Sequence, residues 1–166
     1  MRKFSDRPVE PEVVSRILRA GQVSPTACNY QPQHILVINS PDALEKLRKC
    51  TTSHFGCTLA MLVCSEVDKC WARPIDGKCS SDVDASIVTT QMMLEAAALG
   101  VGTTWVMYFS NEAIREEFAL PEGYEPVSLL VMGYPADTAK PAPGHAEIKP
   151  LSQTVFFNSF DCPAED

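Results

Sequence analysis

Apolar residues recur at helical spacing between Pro11 and Ala20, where Val13, Val14, Ile17 and Leu18 share one face. Pro11 suits a first turn, and Gly21 is expected to stop the helix. Ile35-Leu36-Val37-Ile38 and Leu59-Ala60-Met61-Leu62-Val63-Cys64 are short continuous apolar runs, which predict buried strands. A short helix is predicted over Asp42 to Lys49, with Leu44 and Leu47 inward. Ser65 to Val83 has no clear period and reads as a long loop beside the site. Asp84 to Leu99 is Ala-rich, begins with acidic residues and is stopped by Gly100, so it predicts a strong helix. Its apolar residues go most of the way round, which calls for burial on more than one side, as by a second subunit.

Gly102 to Phe109 reads as extended. Ser110 is the expected N-cap of a helix over Asn111 to Phe118, whose inward face is Ala113, Ile114 and Phe118. Pro126 to Met132 reads as a strand that ends at Gly133-Tyr134-Pro135. Three prolines between Ala136 and Pro150 predict an extended linker. The apolar end beyond it (Val155, Phe156, Phe157, Phe160) predicts an arm that docks on its own or another subunit. The whole reads as one domain, 1–166, with 136–166 as linker and C-terminal arm. The fold class is α+β, three layers, with a mixed central sheet.

A net charge of −7 disfavours nucleic acid, whose binding rests on phosphate neutralisation. Any anionic ligand must therefore meet a local basic exception. No apolar run reaches the roughly 18 residues that a membrane span needs. Seven cysteines without a C-x-x-C pair support neither a zinc ribbon nor a thioredoxin motif. They read as reduced thiols of a cytoplasmic protein, several buried as small hydrophobes.

Gly100-Val101-Gly102 lacks a third glycine and follows a helix, so it is no dinucleotide fingerprint. No P-loop or G-x-S-x-G is present. Ser24-Pro25-Thr26-Ala27-Cys28-Asn29-Tyr30-Gln31-Pro32 has two prolines and an Asn, which fix the backbone. Such a loop is expected to expose amides and small polar groups to a planar polar ligand. An ordinary helix-to-strand connection is the other reading.

Five motifs in order then resemble the nitroreductase family of FMN-dependent NAD(P)H oxidoreductases. Arg2-Lys3-Phe4-Ser5-Asp6-Arg7-Pro8-Val9 is similar to the second half of its R-x-S-x-R-x-F-x-x-x-P-V. Ser24 to Pro32 resembles A-P-S-x-x-N-x-Q-P-W, and Gly100 to Met107 resembles G-L-G-T-x-W-[IV]-G. Gly133-Tyr134-Pro135-Ala136 and Lys149-Pro150-Leu151-Ser152-Gln153-Thr154-Val155 look like its G-Y-P-A and K-P-L-x-x-x-V. The resemblance implies a homodimer with two shared FMN sites and an exchanged C-terminal tail. It implies Arg2 near the phosphate and ribityl chain or the N1–O2 edge, with Pro25, Thr26, Ala27 and Asn29 supplied by the partner copy. Val106, Met107 and Tyr108 would face the flavin ring. NADH or NADPH would pass hydride to the flavin, and a nitroaromatic, quinone or similar small-molecule acceptor would then take it. Dehalogenation, flavin fragmentation and a non-catalytic flavin-binding module are the alternatives.

The family's first Arg and its Ser have no counterpart here. The preferred reading is that residues precede Met1. The Met1 α-amino group as a substitute cation and weak flavin binding are the others. Where relatives carry a basic residue before K-P-L this chain has Ile148, so His145 or Lys149 is expected to contact the phosphate.

Overall fold

The computed structural model describes residues 1–165. Eight main elements follow one another: α1 (Pro11–Gln22), β1 (Gln33–Ile38), α2 (Pro41–Cys50), β2 (Leu59–Glu66), α3 (Ser81–Ala98), β3 (Gly102–Val106), α4 (Asn111–Phe118) and β4 (Tyr124–Gly133). The strands form one sheet in the order β1-β2-β4-β3. Every pairing in it is antiparallel, so the mixed sheet expected from alternating helices and strands is corrected. The reason lies in the connections. Ile38 at the end of β1 pairs with Ala60 near the start of β2, so α2 and the link after it leave and re-enter the same end of the sheet.

Alternation along the central strands builds the three layers. Leu59, Met61 and Val63 of β2 and Leu130 and Met132 of β4 pack with Val14 and Ile17 of α1 and Ala85, Val88, Met92 and Ala96 of α3. Ala60, Leu62 and Cys64 with Leu129 and Val131 pack on the other face with Leu47 of α2 and Ile114 of α4. A register shift between Val63 and Cys64 breaks the ladder opposite Val127 and lets both Val127 and Ser128 face α3. There the Ser128 and Thr89 hydroxyls are 2.7 Å apart and wholly buried. β1 is an edge strand, and its Leu36 is exposed rather than buried as expected.

Local capping agrees with the sequence at several ends. Ser110 accepts a hydrogen bond from the Ala113 amide at 3.2 Å, and Ser40 does the same for Ala43. Gly100 follows α3 with φ +76°, a conformation that glycine adopts without strain. Gly21 does not stop α1. It lies inside the helix, buried, where a Cβ would come within 2.9 Å of Met92 Cγ. Its missing side chain lets α1 close on α3.

Ser65 to Val83 is more ordered than the sequence implied. β2 runs on to Glu66, a 3-10 turn spans Val67–Lys69, and Ala72 bridges Cys79 in a small hairpin. Cys70 and Cys79 are joined by a disulfide, with Cα atoms 6.2 Å apart, which corrects the expectation that all seven thiols are reduced. Cys50, Cys57 and Cys64 are buried and free, and burial pushes the Cys57 and Cys64 thiols up to about 11.

The N-terminal residues dock along the edge of β3 and the end of β4. The Met1 α-amino group donates to the Thr103 carbonyl at 3.0 Å, and the Thr104 hydroxyl donates to the Met1 carbonyl. Phe4 is buried against Gly133, and the Ser5 amide donates to the Tyr134 carbonyl at 2.8 Å. Arg7 lies 4.0 Å above the Tyr134 ring and pairs with Glu10, which accepts the Tyr134 hydroxyl. These two donors hold the Glu10 carboxyl at about 2, well below the usual carboxylate range.

The C-terminal arm folds on itself. Ala164 donates to the Val155 carbonyl at 2.8 Å, and Phe156 and Phe160 meet edge to face. Ile148, Leu151, Phe157 and Phe160 remain exposed, Phe160 to 88%.

Gly21→Leu is expected to destabilise the fold by roughly 1–3 kcal/mol, the usual cost of overpacking, read by urea unfolding. Glu10 contributes stability above its unfolded value of 4.5 and loses it as pH falls through about 2. The melting temperature of Glu10→Gln should therefore lie below that of the unaltered protein at neutral pH, and the gap should close between pH 4.5 and about 2.

Candidate functional site

The loop after α1 is held by its own groups. Ser24 is buried and its hydroxyl donates to the Ala20 carbonyl at 2.9 Å. The Asn29 and Tyr30 amides return to the Thr26 and Ala27 carbonyls, and the Gln31 amide donates to the Thr26 hydroxyl at 3.0 Å. The Ala27 amide donates to Asp84 Oδ1 at 2.8 Å. With the Ser24 amide on the Gly21 carbonyl, five amides of the loop are thus used inside the protein, where the sequence had suggested that they face a ligand. What the loop presents outward is Pro25, Cys28, Asn29, Tyr30 and Gln31, all exposed.

Cys28, Asn29 and Gln31 have φ of +50°, +56° and +51°. A side chain in this region costs on the order of 1–3 kcal/mol for residues other than glycine, with Asn the most tolerant. The loop keeps this conformation only because the contacts just named over-determine it.

Arg2 lies elsewhere. With Met1, Lys140 and His145 it lines a concavity of about 440 Å³, walled by Ala139, Pro141, Ala142 and Pro143. Burial, and then the neighbouring Arg2 charge, lower the Met1 α-amino group. Arg2 and Lys140 make this concavity a local basic exception in a chain of net charge −7. His145 is part of it; Lys149 is exposed and is not among the lining residues.

Val106 ends β3 and is buried, while Met107 and Tyr108 leave the sheet with 65% and 74% exposure. The strand is therefore shorter than the Gly102–Phe109 segment expected. Met107 Sδ lies 3.3 Å from Trp105 Nε1, and the Tyr108 carbonyl accepts the Thr51 hydroxyl.

The expected site residues do not converge within one copy. Ala27 is tied to Asp84 in the first turn of α3, whereas Met1 and Arg2 lie along β3, which begins just beyond the end of that helix. The helix between them is roughly 25 Å long at 1.5 Å per residue. Sequence reasoning missed Asp84 and Ser80. Asp84 was read as a helix-starting acid, and only the fold shows it to be 1% exposed and bonded to the loop. Also missed was the Cys70–Cys79 hairpin, which brings Trp71, Arg73 and Lys78 beside Ala27. No sequence signal marked it beyond the two cysteines.

Among the described residues no helix is long and apolar enough to cross a membrane. The fold matches solved structures closely. A nitroreductase family protein of Clostridium difficile 630 superposes with a TM-score of 0.89 at 41% identity, covering 95% of this chain and 92% of that one. A structure from Clostridium difficile R20291, named an FMN-dependent nitroreductase, superposes at 0.79 with 26% identity, covering 96% and 94%. An Archaeoglobus fulgidus protein, named provisionally as NADH dehydrogenase/NAD(P)H nitroreductase, is 32% identical over 82% of this chain and 80% of its own length. The family model described as the nitroreductase family matches residues 1–56 and 55–134. With most of its length matched, this chain belongs to the nitroreductase family.

Proposed function

We propose that two copies of this chain form an FMN-dependent NAD(P)H oxidoreductase with two sites, each built from both copies. The observation that carries this reading is the separation of Arg2 and His145 from the Ser24–Pro32 loop by the length of α3. A second copy in antiparallel register would bring the loop of one to the basic end of the other. The outward face of α3 suits such a pairing, because Val83, Leu94, Ala97 and Ala98 are exposed along it. The names of the relatives from Clostridium difficile and Archaeoglobus fulgidus support the same chemistry.

The donor set fits FMN. Arg2, Lys140 and His145 suit a phosphate, which needs cations in an otherwise acidic protein. Pro25, Thr26, Ala27 and Asn29 form a rigid shelf that suits one face of a planar ring. Val106, Met107 and Tyr108 would supply the wall near the ring's other edge. FMN, when bound, supplies the two-electron chemistry between a nicotinamide and a small acceptor such as a nitroaromatic or quinone. Arg2 would place positive charge where negative charge develops during turnover. The strained loop would hold its shape without reorganising as substrates exchange. The exposed apolar residues of the C-terminal arm would cover the neighbouring copy, with Lys149 carried along as a further phosphate contact.

Protein purified with or reconstituted with FMN should be yellow, and NADH or NADPH should bleach it. Colourless protein that takes up no FMN would sink the reading. Arg2→Ala is expected to weaken FMN affinity by roughly 10-fold to 100-fold, the worth of one charge-assisted hydrogen bond. Sedimentation should give twice the chain mass.

A further inference from the structure

Asp84 is 1% exposed and has no part in the function proposed above. Burying a carboxylate is costly unless strong hydrogen bonds satisfy it. Its partners are specific. Oδ1 accepts the Ala27 amide at 2.8 Å, and Oδ2 accepts the Ser80 hydroxyl at 2.7 Å. The Glu66 amide holds the Pro32 carbonyl where the loop enters β1, and the remaining hydrogen bonds of the strained loop arise within it or from the adjoining α1, so the Asp84 bond ties its strained middle to a distant part of the chain.

Ser80 is in turn fixed by the hairpin that precedes it. Its amide donates to the Trp71 carbonyl at 2.9 Å, the Arg73 amide donates to the Lys78 carbonyl, and Ala72 bridges Cys79. The disulfide between Cys70 and Cys79, immediately before Ser80, closes this hairpin covalently. A continuous path therefore runs from the disulfide through Ser80 and Asp84 to the Ala27 amide.

We propose that Ser80 and Asp84 are positioning residues that clamp the Ser24–Pro32 loop to the disulfide-closed hairpin. Flavin affinity then depends on whether Cys70 and Cys79 are joined. The flavin part rests on the FMN reading above. The redox step balances with a dithiol as reductant. Two electrons and two protons pass to the Cys70–Cys79 bond, giving two thiols, and the dithiol becomes a disulfide. Opening the bond frees the hairpin, and Ser80 loses its covalent brace.

Flavin affinity is read by fluorescence quenching on the full chain. Asp84→Ala is expected to weaken it about tenfold, as befits a buried amide and hydroxyl left without their acceptor. Asp84→Asn should stay within about twofold, because its amide oxygen accepts from Ala27 and its amide nitrogen donates to Ser80. Ser80→Ala and reduction by a dithiol should each weaken binding about threefold, the scale of one weaker support. The Cys70→Ser/Cys79→Ser double variant should match the reduced protein and ignore the dithiol.

Hydrogen exchange of the Ala27 amide, measured without FMN, tests the clamp independently. It should quicken in Asp84→Ala, in Ser80→Ala and on reduction, and stay slow in Asp84→Asn. Unaltered protein that binds no FMN overturns the proposed function while Ala27 exchange still judges the clamp. Unchanged exchange in Asp84→Ala overturns the clamp; should that variant not fold, unchanged exchange in Ser80→Ala does so. Asp84→Asn as impaired as Asp84→Ala also overturns it. Exchange and affinity unmoved by reduction overturn the redox control.

Discussion

The seating of Val88, Met92 and Ala96 against Met61, Val63, Leu130 and Met132 is the contact from which the rest of the molecule is laid out. It fixes the height and direction of α3 over the sheet. Gly21 then lets α1 close against the same helix, and Arg16 reaches Glu95 at 2.8 Å. The turn leaving α1 is thereby delivered to the first turn of α3, and β3 starts where α3 ends. Both candidate half-sites are thus placed by one helix, at its two ends. Large side chains with no exposure do this, so small errors there would displace both halves together.

Much of the fold could be read from periodicity because most of its helices are amphipathic and its central strands are continuous apolar runs. α2 and α4 were expected within a residue or two of where they lie, and Ser110 caps as anticipated. Strand direction was not legible. Antiparallel pairing follows from where the link between α2 and β2 returns the chain, and apolar pattern carries no information on that path. Gly21 misled for a related reason. Glycine at a helix end and glycine under a neighbouring helix look alike until the neighbour is known.

The candidate site was legible as motifs but not as geometry. The residues from Pro25 to Asn29 and Arg2 were identifiable by their order in the chain, yet nothing local revealed that a helix length separates them. Asp84 was invisible as a loop anchor because its partner lies 57 residues away and is a backbone amide. The pairing of Cys70 with Cys79 was equally hidden. Seven cysteines allow many pairings, and only the fold selects one.

The C-terminal arm has a consequence for the order of events during synthesis. Every strand and helix that shapes the core precedes Pro135 in the chain, so the ribosome releases them before Leu151 to Phe160 emerges. The layered core can close without waiting for the arm. None of its exposed aromatic side chains is needed to complete that core. They form a solvent-facing apolar segment, and any cover they take from a second molecule would depend on how much protein is present.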